Sequence, residues 1–428
     1  NIRDWSSDVC SSDLPVWRRW KRLPMPESDV DVLVVGAGIA GSALAAALTG
    51  RGLRLAVVEA RPLAAGPAPP TPGLAGFDRR VSALTPRSRR FLDTLGAWAP
   101  LAAQRVCDYG HMTVWDAEGT GRIDFSAAEV GADALGTIVE NRLLVAALQA
   151  RWLSAADVAA LAPDSVEAVA REGGRLRLRL ASGGSVSAAL VVAADGAQSP
   201  LRQALGFRTR EWDYGQQAIV ASVATARSHA ETAWQRFLPT GPLALLPLPV
   251  GDDAHYCSIV WSADDSLAEQ LLALGDEPFC AALSAASEHC LGEVLASSPR
   301  LSFPLRQRHA VDYVAPGVAL VADAAHTIHP LAGQGINLGL ADVEVLAREI
   351  LRAARLALDP GSLDVLGRFQ RERKGDNLLM MAAMEGFKRL FGARAPSARL
   401  LRNSGLRLVD GAVPLKRQLV RRAMGMAP

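Results

Sequence analysis

Asp31 to Val35 is an unbroken apolar run, rich in β-branched valine, that stops at Gly36. A run of this length bounded by glycine reads as a strand buried on both faces. The Ala/Leu-rich stretch Ile39 to Thr49 stops at Gly50, the pattern of a helix with a glycine stop. Arg54 to Glu59 reads as a second buried strand. Pro62 to Gly76 holds five prolines and three glycines and reads as a loop. Helical spacing then predicts helices over Val81 to Leu95, which stops at Gly96, and over Leu143 to Trp152.

From Val166 the period changes. Arg175 to Leu180 alternates polar and apolar between the turn signals Gly173-Gly174 and Gly183-Gly184. That is a β-meander, and it ends in the apolar strand Leu190 to Ala194. Strand-like runs continue from Gln217 to Ser262. Ala319 to Val321 is again a buried strand, and Gly335 to Ala354 a long helix. No internal repeat is present. The pattern predicts an α/β core split by a mainly antiparallel β-sheet domain, with a C-terminal helical segment. The expected boundaries are 28–205 and 302–376 for the discontinuous first domain, 206–301 for the β-sheet domain and 377–428 for the helical segment. A chain of 428 residues, 50% hydrophobic, is long enough for two such cores.

Charge adds one feature. The formal net charge is only +2, which argues against a nucleic-acid binder, but Asn377 to Pro428 carries ten Lys/Arg against Glu385 and Asp410. Within this span Met380, Met381, Met384, Phe387, Leu390 and Phe391 recur at helix-like spacing. They form either an apolar stripe for a surface partner or one that packs internally. The basic residues suit an anionic membrane surface or an acidic protein partner. The five cysteines (Cys10, Cys107, Cys257, Cys280, Cys290) contain no C-x-x-C pair and are odd in number, so a reducing cytoplasm is expected, with no disulfide framework and no zinc site. No apolar run reaches transmembrane length. Residues 1–24, with a repeated Ser-Ser-Asp and no apolar periodicity, read as a non-native or disordered tail, and Met25 as the native start.

Three segments carry chemistry. Gly36-Ala-Gly38-Ile-Ala-Gly41 follows a strand, opens a helix and is answered by Glu59 at the end of the next strand. In that context Gly36 permits a tight turn, Gly38 lets backbone approach a pyrophosphate, and Gly41 allows close helix–strand packing. The helix N-terminus offers free N–H groups to phosphates, and Glu59 is placed for adenosine ribose hydroxyls. The second segment runs from Val191 through Asp195-Gly196 to Arg202, where Asp195 or Ser199 would cap a helix. The third is Ala322-Asp323-Ala-Ala-His326-Thr-Ile-His329-Pro-Leu-Ala-Gly333-Gln334-Gly335-Ile-Asn337, a strand end and glycine-rich loop that leads into the long helix.

Together these segments resemble the aromatic-ring hydroxylases, flavoprotein monooxygenases of the para-hydroxybenzoate hydroxylase type. They are most similar to the ubiquinone-biosynthesis hydroxylases. The match runs from about Val30 to Gly425 and rests on Asp78-Arg-Arg80-Val-Ser-Ala-Leu84, Val139-Glu-Asn-Arg142, Trp234 to Leu248 and Ala324 to Asn337. The resemblance implies an α/β fold with a Rossmann-like FAD-binding domain interrupted by an antiparallel β-sheet substrate domain, and FAD bound non-covalently. Gly36, Gly38, Gly41 and Glu59 would hold its ADP half, and Arg80 and Arg142 would contact its ribityl and pyrophosphate stretch. Asp195 and Gly196 would serve both FAD and NAD(P)H. Asp323 would bind a ribityl hydroxyl, and Gly333, Gln334, Gly335 and Asn337 would line the pyrimidine edge. The long helix would aim its positive end at the N1–C2=O locus of reduced flavin. The family has glycine where this chain has Ala322. A negative φ, which would make the alanine harmless, is expected there.

The implied reaction hydroxylates the ring of a polyprenylated phenol with NADH or NADPH and O₂, through a flavin C4a-hydroperoxide. The protein would supply position, dryness and electrostatics. It would work in the cytoplasm, on the inner face of the cytoplasmic membrane, with other ubiquinone-biosynthesis proteins as partners. No catalytic base and no metal cluster stand out. His326 and His329 are acid–bases or structural loop residues, and Phe237 to Leu248 is a substrate-pocket wall or plain sheet core. A flavin enzyme acting on a soluble aromatic substrate and a non-catalytic flavin-binding accessory subunit are the alternatives.

Overall fold

The computed structural model describes residues 28–64, 66, 73–250, 253–328, 335–392 and 396–425. Residues 1–24, His329, Gly333 and Gln334 lie outside the described residues. Four parallel strands form the middle of the first sheet: Val318–Leu320, Ser185–Ala193, Ser28–Val35 and Leu55–Val58, with Val158–Leu161 parallel at the edge. Val32, Leu33 and Val34 are essentially inaccessible, as expected of a parallel strand covered on both faces. The helix Ile39–Leu48 makes the crossover from the first strand to Leu55–Val58. The expected meander is present: Arg175–Leu180 pairs antiparallel with both Val166–Glu172 and Ser185–Ala193.

Among the described residues the second sheet has nine strands, eight along one path and Val294–Ser297 paired with Thr209–Thr225 off it. Its path runs His326–Thr327, Leu301–Ala310, Thr209–Thr225, Asp253–Asp264, Gly241–Val250, Thr232–Leu238, His111–Asp116, Arg122–Ser126. All neighbours along it are antiparallel except Thr232–Leu238 with His111–Asp116. The sheet reaches outside the span 206–301 on both sides, because the hairpin 111–126 and the strand end at His326 join it. This last strand ties the second sheet to the Asp323 segment through the pair His309 and His326.

Val81 to Leu95 differs from the helix its spacing predicts. Val81–Leu84 is a strand paired with Gly136–Glu140, and the helix Pro86–Thr94 begins only after it. Thr85 caps that helix by accepting from the Ser88 amide, and Pro86 takes the first turn, where its missing N–H costs nothing. The C-terminal helices are Leu363–Gly392, Pro396–Gly411 and Val413–Ala423. The first starts before residue 377, so that boundary falls within a helix. Among the described residues no helix is long and apolar enough to cross a membrane.

Candidate cofactor site

Parallel strands in register end together. Val35 lies opposite Ala193, and Ala193 opposite Leu320. Gly36, Asp195 and the turn at Ala322–Asp323 therefore emerge side by side at the carboxyl edge of one sheet, where open α/β sheets bind ligands. A Cβ on Gly36, whose φ is +98°, would lie 2.5 Å from the Ala194 carbonyl oxygen. One on Gly41 would lie 1.8 Å from the Gly36 oxygen. A Cβ on Gly38 would meet no protein atom within 4 Å. Packing explains the first two glycines. The third leaves open space over the exposed start of the helix, which fits a group that must approach the backbone closely, such as a dinucleotide pyrophosphate.

The turn is held rigidly. Glu59 accepts from the Ala37 amide at 2.7 Å and from the Arg61 amide at 3.0 Å. The Ala37 carbonyl accepts from Ser42 Oγ and from Gln149 Nε2, both at 2.8 Å. Gln149 escaped sequence reasoning. A lone glutamine in a helix read for its apolar spacing gives no signal, and its partner is 112 residues away.

Arg80 and Arg142 come from different elements and share one anchor. Asp78 accepts from the Arg80 amide at 3.2 Å and from the Arg142 amide at 2.8 Å. Arg142 also donates to the Gly76 carbonyl at 2.5 Å, and the Arg80 guanidinium lies over Phe303 at 5.6 Å. Beneath them Glu140 is buried and paired with Arg105 at 2.8 Å.

Ser199 caps the helix Pro200–Ala204, accepting from the Arg202 amide, and Asp195 accepts from the Leu201 amide at 3.2 Å. Burial raises the Asp195 carboxyl above the usual range despite the bonds from Ser199 and Leu201. Its second oxygen is buried with no partner, and a Cβ on Gly196 would meet nothing. Arg202 donates to the carbonyls of Ala324 and Ala197, which locks the second segment onto the third.

Asp323 keeps an accessible surface although protein crowds around it. Burial raises its pKa, and His326 and Arg80 pull it down by less. Ala322 corrects the expectation of a negative φ: its φ is +52°, in the left-handed region. Its Cβ is accommodated because residue 339 is glycine; a Cβ there would lie 2.7 Å away. Gly335 opens the long helix Gly335–Arg355. The Asn337 side chain is spent within the protein, accepting from the Thr85 amide and Ser88 Oγ and donating to the Ala83 carbonyl. It fastens the helix start to the strand Val81–Leu84. His326 is buried and donates Nε2 at 2.5 Å to Asp342, outside its loop in the long helix.

The strand Gly241–Val250 uses both faces. Leu243 and Leu245 belong to the core beneath the helices Asp265–Ala273 and Asp276–Ala286. Leu246 and Leu248 face Phe77, Cys107 and Ile138. A cavity of about 440 Å³ lies elsewhere, bordered by Asp276, Cys280 and Glu293, and none of the three segments lines it.

The glycine turn with its open approach, the buried unpaired oxygen of Asp195 and the carboxylate of Asp323 lie together at one sheet edge, an arrangement compatible with a dinucleotide. The FAD binding domain family matches residues 29–374. Ubiquinone hydroxylase UbiL of Rhodospirillum rubrum is 39% identical, over 92% of this chain and 89% of that protein. The 3-demethoxyubiquinol 3-hydroxylase of Escherichia coli is 36% identical, over 94% of this chain and all of its own length. The fold matches that of p-nitrophenol 4-monooxygenase PnpA from Pseudomonas putida with a TM-score of 0.73 at 18% identity, covering 93% of this chain and 98% of that one. The chain belongs to the FAD-dependent hydroxylases of ubiquinone biosynthesis.

Proposed function

We propose that this enzyme hydroxylates the aromatic ring of a polyprenylated phenol, with NADH or NADPH as reductant and O₂ as oxidant. The observation that carries this reading is the convergence of Gly36, Asp195 and Asp323 at one sheet edge, directly beside a strand of the second sheet. When bound, FAD supplies the redox and oxygen chemistry. On this reading Gly36, Gly38, Gly41 and Glu59 hold its ADP half, and Arg80 and Arg142 neutralise its pyrophosphate stretch. Asp195 and Gly196 sit beside the path of FAD and nicotinamide, and Asp323 accepts from a ribityl hydroxyl. The start of the helix at Gly335 stabilises negative charge at the pyrimidine edge. The substrate ring docks between the large sheet and this site, on the side of Phe77, Leu246 and Leu248. The water-insoluble tail calls for peripheral contact with an anionic membrane surface and for work alongside other enzymes of the pathway.

The test is NAD(P)H oxidation by the purified flavoprotein with a polyprenylated phenol, a short-chain analogue or a water-soluble phenol, scored by product mass. A product carrying one added oxygen, formed faster from the prenylated phenols, is expected. Turnover of the soluble phenol alone would replace the substrate class. No stimulation by any phenol would leave an accessory flavin-binding role.

A further inference from the structure

Behind Asp323 the fold buries a charged network that cofactor contact does not require. Asp342, in the long helix, is fully buried and spends one carboxylate oxygen on the flavin segment: it accepts from the Ala322 amide at 3.1 Å and from His326 Nε2 at 2.5 Å. Its other oxygen accepts from Arg373 Nε at 2.9 Å and Asn377 Nδ2 at 3.1 Å, both on the helix Leu363–Gly392. Arg373 in turn donates to Asn377 Oδ1 and to Asp376. The ion pair is almost wholly desolvated. Buried pairs of this kind add little net stability compared with apolar packing, and what this one does hold is position. The position at stake is the left-handed Ala322, an unfavourable conformation for alanine that persists only where its surroundings hold it.

We infer that Asp342 is a positioning residue for FAD binding: anchored by Arg373 and Asn377, it clasps the Ala322 amide and His326, fixes the left-handed turn, and so aims Asp323 at the cofactor. The inference rests on the FAD reading above.

Three comparisons of FAD release and affinity in the holoenzyme test it. Asp342→Asn keeps the shape but sets an NH₂ group against donors. It should raise the Kd for FAD on the order of tenfold. Adding Ala322→Gly should recover most of that loss, because glycine adopts the left-handed turn without a clasp. In an Asp323→Asn background, Asp342→Asn should cost less than about twofold more, since the group it aims is already gone. Wild-type affinity in D342N overturns the inference. So does a loss that A322G does not reduce, or one that is undiminished beside D323N. Circular dichroism checks folding; should D342N not fold, Arg373→Gln, which loosens the same anchor, is read by the same comparisons. A wild-type protein that holds no FAD would instead overturn the functional reading.

Discussion

At the scale of the residue, the site trades stability for binding. Burial holds the Asp323 pKa above that of the unfolded chain. The group therefore costs stability at neutral pH, and the cost vanishes as pH falls below the unfolded value near 4. Asp323→Asn should leave the melting temperature of the flavin-free protein unchanged or higher at pH 7. Asp323→Ala should weaken FAD binding by about ten- to a hundredfold, as the loss of a charge-assisted hydrogen bond of about 1.5–3 kcal/mol implies. A flavin-free D323N that melts well below wild type would show that the carboxylate is structural. Ala322 carries a second trade. Left-handed backbone costs a non-glycine residue about 1–2 kcal/mol, part of which glycine would return as chain entropy. Ala322→Gly should raise stability by up to about 1 kcal/mol in chemical denaturation, with FAD affinity changed less than tenfold. A lower denaturation midpoint would mean that contact of the Ala322 Cβ with Gly339 outweighs the strain.

At the scale of the element, the C-terminal helices close the edge of the large sheet through charge. Arg402 is buried and donates to Asp116 at 2.5 Å, to Glu118 at 2.9 Å and to the Phe391 carbonyl at 2.9 Å. Lys416 bonds Glu129 and Asp410 at 3.1 and 3.0 Å. Removing one partner of a buried pair typically costs about 3–5 kcal/mol. Arg402→Met should lower stability by about that amount in chemical denaturation, with a smaller effect in the double variant Arg402→Met/Asp116→Leu. Equal losses in the two would argue against a paired charge. The sequence hid this because Arg402 and Asp116 are 286 residues apart, and a basic run looks solvated until its partners are known. Periodicity was sufficient for the parallel strands and the meander, whose patterns are local. It misread Val81 to Leu84, where pairing with Gly136–Glu140 overrides a helical spacing. The glycine turn and Glu59 were singled out by a fixed spacing, and Asp323 only by the family resemblance. Gln149, Arg202 and Asp342 were not identified as site-shaping residues, because their roles exist only after the chain folds.

At the scale of the whole molecule, the polyprenylated substrate proposed above raises the question of which surface could meet a lipid chain. Most of the Met/Phe stripe of the C-terminal segment packs internally, although Phe387 is 48% exposed. Phe391 stacks on Phe237 at 3.9 Å, Met381 is buried, and Met384 and Leu390 pack with Val114 and Ile123. Further apolar residues face outward on the last helix. On the helix Val413–Ala423, Val413, Leu415 and Leu419 are 45%, 42% and 45% exposed, while Val420 and Met424 face the protein. Leu415, Leu419 and Arg422 recur at helical spacing, with exposed Arg417 and Arg421 on the flank. This is the composition of an interfacial helix, and each base near an anionic surface contributes about 1 kcal/mol. Three of them amount to about a hundredfold in partitioning. In low salt the protein should pellet with vesicles containing anionic lipid and not with neutral ones, and added salt should release it. Leu415→Ser/Leu419→Ser and Arg417→Ser/Arg421→Ser/Arg422→Ser should each reduce pelleting while leaving bound flavin unchanged. These point variants are preferable to truncation, because removing the segment would strand Asp116 without Arg402 and uncover Phe391. Equal pelleting of all three proteins, or none by the wild type, would reject this helix as the membrane contact and leave an acidic protein partner as the role for its arginines.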